Sequence, residues 1–400
     1  MSLHADPALP PRMHRDGVTW YCYLANGYFT YLLNLQGNVL PFLQSEQHLS
    51  YRVASLHFSA IALGQIMVGL FGNAITQRLG RTRTLWMAGF GLVLAALLEG
   101  WAPHVGVSLL GCLLIGFPGA LVPGIVFGLL GEVQGRHKDV AFAEVSALSY
   151  IFGIIGPLAI VAFLWMSLGW RPAVLLGGVM GLVITLAFRN LPIANARDSK
   201  LPEHVRLPAA YWAFWCLMIC CVALEFSVLF WAPAFLERVA GLSTATAAGS
   251  AAIFSVAMIT ARFAGSVAVK HIAPTPLMVG ALVLTAVGFG FYWGIGHGGA
   301  ALLGLFLLGL GIAPLYPLTV GLALQAAGPQ SAAASAKFML AVGLSIMSMP
   351  TLLGGLADKF GLSTAHLTLP ALMIAALICL FVGRALVAHQ KLRNLAAIDR

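Results

Sequence analysis

Four ionisable side chains stand inside long apolar runs of this sequence: Glu144, Glu225, Arg262 and Lys337. A charge in hydrocarbon costs several kcal/mol unless it faces a cavity or a partner, so position alone makes these four candidates for function. Glu225 sits in WCLMICCVALEF (215–226), with no Lys or Arg within two helical turns. Removal from water favours the neutral form of a carboxyl, which suits an acid that takes up and releases a proton or binds a polar solute. The competing reading is a neutral acid that only hydrogen-bonds a neighbouring helix. Glu144 and Arg262 lie about five and eight residues inside the ends of their runs, a difference of about 4 Å at 1.5 Å per residue. That spacing puts the two within reach if their runs are neighbours, as an ion pair that forms while a gate is closed and separates when it opens, with Glu144 held locally by Arg136 or Lys138 as the alternative. Lys337 is the third gate candidate; alternatively it snorkels to the interface, or joins Arg262 in attracting an anionic solute. Asn26, Tyr31, Asn34, Gln65 and Tyr316 are candidates to hydrogen-bond a polar solute and Phe226 to stack on one. Helix-to-helix hydrogen bonding and packing are the alternative uses of the same residues.

The elements that must position these residues follow from composition. Hydrophobic residues make up 60% and charged residues 9% of the chain, with a mean hydropathy of +0.91, whereas a soluble domain carries about a quarter charged residues. A soluble enzyme, a nucleic-acid binder and a disordered regulator are excluded. The six cysteines lie in apolar runs without metal-ligand spacing, so neither a metal site nor a disulfide is indicated. A bilayer core of roughly 30 Å needs about 20 apolar residues per helix. Such runs recur at 19–43, 51–77, 84–103, 105–131, 140–166, 171–190, 209–236, 245–269, 275–296, 299–327, 332–355 and 366–388. Twelve spans result, and residues 1–17, polar and proline-rich, predict no cleaved leader. An even number of spans puts both termini on one side. Of the 22 Lys and Arg residues, 16 fall on that side, four fall opposite, and Arg262 and Lys337 lie within spans. Such an excess marks the cytoplasmic side; the expectation is a multi-pass protein of a bacterial-type inner membrane with both termini in the cytoplasm.

The longest polar stretch, LPIANARDSKLPEHVRLP (191–208), separates two sets of six spans. At an offset of 192 to 194 residues Trp20 falls on Trp212, Pro41 on Pro233, Phe71 on Phe263, Arg78 on Lys270, Pro123 on Pro317, Gly135 on Gly328 and Pro157 on Pro350. Three of these pairs are prolines inside spans of matching rank, where packing must accept a missing N–H. The reading is a parallel repeat: cytoplasmic segment 1–18, N-terminal half 19–190, linker 191–208, C-terminal half 209–388 and cytoplasmic tail 389–400.

After span two, NAITQRLGRTR (73–83) resembles the loop signature of the major facilitator superfamily, roughly G-x3-D-R-x-G-R-R. Arg78, Gly80, Arg81 and Arg83 match, while Asn73 replaces the glycine and Gln77 the aspartate, so the family's charge lock between this loop and span eleven lacks its acid. RFAGSVAVKH (262–271) keeps Gly265 and Lys270 of the equivalent loop. GYFTYLLNLQGNVLPFL (27–43) and GLGIAPLYPLT (309–319) resemble the fucose-permease-like, sugar-porter-type branch, although that branch's carboxylates on spans one and four have no counterpart here. The resemblance implies an all-α membrane protein of 12 transmembrane helices in two pseudo-symmetric six-helix halves, which rock about a midplane site formed by spans one, four, seven and ten. With Glu225 it implies a monomeric, proton-coupled symporter of a small polar organic solute, sugar-like or an organic acid. Proton-driven efflux of amphipathic or cationic compounds is the alternative. No cofactor is expected, since GxxxxGK[ST] is absent. A membrane-embedded enzyme would need a clustered set such as HExxH, and a channel would need pore-lining rings; neither pattern is present.

Overall fold

In lipid an apolar run can satisfy its backbone only as a helix or in a closed barrel, and the computed structural model is all-helical, with no strand among the described residues. It describes residues 14–193, 207–269, 271–294, 298–328 and 331–398, so most of the expected linker and the first 13 residues lie outside the description, as does Lys270. The helices are α1 (Gly17–Glu46), α2 (Tyr51–Leu79), α3 (Arg81–Trp101), α4 (Val105–Gln134), α5 (Lys138–Trp165), α6 (Arg171–Ala187), α7 (Ala209–Arg238), α8 (Thr244–Ala268), α9 (Pro274–Phe289), α10 (Gly298–Ile312), α11 (Leu315–Ala327), α12 (Ser331–Phe360), the single turn α13 (Leu362–Ala365) and α14 (Thr368–Ile398). Local chemistry sets their starts. The Asp16 carboxylate accepts the Thr19 N–H at 2.8 Å ahead of α1, and the Ser50 hydroxyl oxygen accepts the Val53 N–H ahead of α2. Pro172 and Pro274 occupy first turns, where no intrahelical N–H is missed.

Ten helical stretches among the described residues are long and apolar enough to cross a membrane, with α10 and α11 counted as one span that breaks at Ala313–Pro314. The remaining two of the expected twelve differ for opposite reasons. α6 is apolar but only 17 residues long. α1 has 30 residues, yet Asn26, Asn34, Gln36 and Asn38 make it too polar to qualify by hydropathy alone.

The repeat seen in the sequence recurs in the backbone. Gly135 and Gly328, which end α4 and α11, have φ of 48° and 56°; Gly169 and Gly361, which precede α6 and α13, have 77° and 83°. These positive values are ones a β-carbon resists. Packing follows the same rule, because α1 lies on α5 as α7 lies on α12, and α2 on α4 as α8 lies on α10. Gly64 and Gly116 let α2 and α4 meet backbone to backbone, and Gly288 and Gly304 do the same for α9 and α10.

The two halves meet mainly at the end of the bundle opposite the linker, here called the far side. There α2 packs on α12, α5 on α8 and α1 on α7. Phe58 stacks on Phe230 with centroids 4.0 Å apart and planes 4° from parallel, and Trp231 donates to the Pro350 carbonyl at 3.1 Å. Arg238 donates to Gln44 at 2.8 Å, and the Ser59 and Thr351 hydroxyls bond each other. Both oxygens of Asp358 accept N–H groups at the start of α2, from Tyr51 and Arg52, each at 2.7 Å. Toward the linker side, α4 does not pack along α11 among the described residues, and Gly124, Gly128 and Gly321 border open space. Among the described residues the halves are closed on the far side, and α4 and α11 stand apart on the linker side.

Candidate substrate site and gates

Glu225 lies on α7 about 24 Å from its linker-side end and about 20 Å from the other at 1.5 Å per residue, close to the middle of the bundle. It is half-buried and, among the described residues, has no hydrogen bond or ion pair. The Arg262 guanidinium, from α8, lies with its central carbon 4.7 Å from the centroid of the Tyr150 ring on α5. Its Nε is buried without an acceptor. Glu225 and Arg262 are close enough to interact electrostatically with each other and with the hydroxyls of Tyr150 and Tyr316, the latter on α11. Four helices, α5 from the N-terminal half and α7, α8 and α11 from the C-terminal half, thus bring a carboxyl, a guanidinium and two phenols near one another. Phe226 lies beside Glu225, half-buried, its ring 5.3 Å from Phe230 of the far-side closure. Next to Arg262, a cavity of about 330 Å³ runs between α8, α9 and α11, lined by Ala261, Gly265, Leu277, Pro314 and Leu318 among others.

Of the remaining cavity candidates, Asn34 has no side-chain hydrogen bond among the described residues and lies against Gly153 of α5. Gln65 is half-buried on α2. Asn26 serves packing, donating to Ser149 of α5 at 2.7 Å. Tyr31 does not line the cavity: it is fully buried against Gly177 of α6, and its hydroxyl donates to the Ala173 carbonyl at 2.6 Å.

The gate candidates are not brought together. Glu144 accepts from Arg15 Nε at 3.0 Å and from the Tyr23 hydroxyl at 2.7 Å, both from the start of the chain rather than from Arg262; the side chains of the alternatives Arg136 and Lys138 lie outside the description. Helix direction explains this. A Cα–Cβ bond leans toward the N-terminus of its helix; α5 starts on the linker side, so Glu144 leans outward, while α8 starts on the far side, so Arg262 leans inward to Tyr150. Lys337 likewise leans outward on α12, and its ammonium lies 5.5 Å from the centroid of the Trp212 ring. The indole of Trp215 bonds the Lys337 carbonyl where, one repeat earlier, Tyr23 bonds Glu144.

In the loop motif Gly80 takes φ 80° between α2 and α3, and Gln77, Arg78 and Arg83 are exposed. Arg81 turns inward and grips Glu132 of α4 with two hydrogen bonds of 2.6 and 2.7 Å. The motif therefore ties α3 to α4 within its own half, a contact the absent aspartate did not predict.

Two residues escaped the sequence reading. Tyr150 is one tyrosine in an apolar run and carries no local signal. Glu99, a fifth ionisable residue within a span, is fully buried between α1, α3 and α4, accepting from Gln36 Nε2 at 3.0 Å and, more weakly, from the Cys112 thiol at 3.9 Å.

A family model described as the Major Facilitator Superfamily matches residues 19–336. The chain belongs to this superfamily. An uncharacterized MFS-type transporter of Yersinia pestis is 23% identical over 337 residues, 82% of this chain and 85% of that protein. Among solved structures, a bacterial homologue of the human lysosomal transporter Spinster in its inward-facing and occupied conformation superposes with a TM-score of 0.73 at 14% identity, covering 94% of this chain and 97% of the other. A D-xylose–proton symporter gives 0.67 at 16% identity, with 90% and 96% covered. At such identities the superfamily likeness is one of fold. The protein is thus a multi-pass membrane transporter of a small molecule, not an enzyme, with the superfamily's two six-helix halves.

Proposed function

We propose that this transporter moves a small polar organic solute, sugar-like or an organic acid, by alternating access, and that protonation of Glu225 drives the cycle. The observation that carries this reading is the isolation of Glu225: a half-buried carboxyl at mid-bundle, without a hydrogen-bond donor among the described residues, beside a cationic side chain that its charge reaches. A carboxyl so placed is inexpensive to neutralise and, once ionised, attracts Arg262; protonation therefore changes what the cavity offers a solute. The excess of basic residues supports a cytoplasmic linker side, and in that orientation the structure is the inward-open state of a transporter whose halves, near 19–190 and 209–388, rock about the far-side contacts. Arg262 and Glu225 belong to the site, while Glu144 and Lys337 act at its linker-side rim.

The test uses proteoliposomes carrying an internal pH dye, to which D-xylose, L-lactate and uridine are added in turn. A coupled solute carries protons inward with it, and Glu225→Gln stops the proton flux while solute exchange at equal concentrations continues. Proton flux that survives in Glu225→Gln removes Glu225 from the coupling role.

A further inference from the structure

The cavity beside Arg262 does not end within the C-terminal half. It shares Ala261, Gly265, Leu277 and Pro314 with a second space of about 420 Å³, which continues between α8, α9 and α10 to the exposed Ile272, Pro276 and Gly280. Among the described residues Arg262 is the only one lining either space with a polar side chain. A buried water needs several polar partners, so these walls do not hold water, and left empty they forfeit contacts that a close-packed interior makes. The gap belongs to this half of the chain. At an offset of 193 residues Gly265 corresponds to Gly72, Pro314 to Leu121 and Gly280 to Met87. A β-carbon on Gly72 would lie 2.9 Å from Val68 and 3.4 Å from Leu121; one on Gly265 would find only Pro314, at 3.9 Å, and one on Gly280 nothing within 4 Å. At the inner wall the span breaks at Ala313–Pro314, where the N-terminal half has the unbroken α4.

From this geometry we infer that the joined space takes one acyl chain of a bilayer phospholipid, which enters between α8 and α9 from the linker-side leaflet and lies against the Pro314 break. Continuity names the occupant. The outer end opens on helices long and apolar enough to cross a membrane, whose Val256, Val283 and Val287 are exposed beside it, and hydrocarbon is what such a face meets. The space follows α8 from Ala261 to Ala268, about 10 Å at 1.5 Å per residue, a slot rather than a bowl. Small residues make it: Ala261, Ala264, Gly265 and Ala268 on α8, Gly280 and Ala281 on α9. Lipid tails are as apolar as leucine, so a chain gains contact here rather than release from water. With the chain in place α8 has a packed neighbour where the broken span turns away, and the helix that carries Arg262 is held in part by lipid. The inference is independent of the solute and of coupling at Glu225.

The experiment reconstitutes the full-length protein in phosphatidylcholine vesicles that contain a fraction of phosphatidylcholine with a diazirine at the end of one acyl chain. Light expels dinitrogen and leaves a carbene, which inserts into the nearest C–H bond, and peptide mass spectrometry maps the labelled residues. Label is expected at the buried Ala261 and Leu318, as well as at Val283 and Val287 on the outer face of α9. Gly265→Leu and Gly280→Leu put a side chain into the slot where a β-carbon meets no backbone. Each is expected to lose the label at Ala261 and Leu318 and to keep it at Val283 and Val287. Melting in detergent checks that each variant is folded, and the label map of the parent protein decides the matter alone should a variant fail to fold. Label confined to Val283 and Val287 in the parent would overturn the inference, as would inner label that survives in the folded variants. Loss of the inner label on adding D-xylose, L-lactate or uridine would give the space to the transported solute and overturn it equally.

Discussion

Glu99 and Glu225 are both carboxyls within the bundle, and their surroundings divide their work. Glu99 is enclosed, with Gln36 and Cys112 as partners; Glu225 is half-buried, with its bonding capacity unused among the described residues. Glu99→Gln, which keeps shape and hydrogen bonding, is therefore expected to leave proton-coupled uptake intact and to melt within a few degrees of the parent. Glu99→Ala removes a filled, bonded volume and should destabilise by about 2–4 kcal/mol, read as a lowered melting temperature. Loss of proton flux in Glu99→Gln would move the coupling site into the N-terminal half. Charged residues at mid-span are legible in sequence because hydrocarbon tolerates them only with a reason, which is how Glu225 and Arg262 were found. Glu99 escaped because it stands near the end of its run, where an acid resembles an interfacial one. Tyr150 escaped because its importance lies in what α8 places upon it.

Helix direction decided which charges meet. Depth counted along the chain put Glu144 and Arg262 at one level, but antiparallel helices lean their side chains opposite ways, and Arg15 captured the acid instead. Sequence spacing gives rise along a helix; it does not give the partner element, and with the linker side open Glu144 and Arg262 stand apart, the separation expected of a pair that forms only when that side is closed. The far-side contact of α12 with α2 is a second matter of helix ends. Asp358 caps α2 from the other half, using both carboxylate oxygens on the first-turn N–H groups of Tyr51 and Arg52. An acid at a helix N-terminus is favoured by the unpaired N–H groups and by the helix dipole. Asp358→Asn should weaken this strap by about 1 kcal/mol, roughly a fivefold shift in the ratio of far-side-closed to far-side-open molecules. Spin-label distances between the far-side ends of α2 and α12 report that ratio, and an unchanged distribution would show that the aromatic stack alone holds the closure. On the linker side Gln77 stands where the superfamily's loop signature has an acid, so the strap is expected to favour the state open at the linker.

At the scale of the molecule, twelve long helices and the two-fold repeat were readable, because bilayer thickness acts on composition directly. The conformational state was not, since both states use the same apolar runs and differ only in which contacts between halves are made. Ser59 and Thr351, hydrogen-bonded between α2 and α12, offer a direct handle. A Ser59→Cys, Thr351→Cys double variant should crosslink under mild oxidation, stop transport completely and recover it with reductant, while solute binding from the linker side persists. Transport that continues in the crosslinked protein would mean that the far side need not open there. The polarity of α1 bears on how such a molecule is made. Its Gln36 and Asn26 amides bond Glu99 on α3, Cys112 on α4 and Ser149 on α5, helices that leave the ribosome after it. Being less apolar than the other long helices, α1 is expected to settle in the membrane together with these later helices rather than alone.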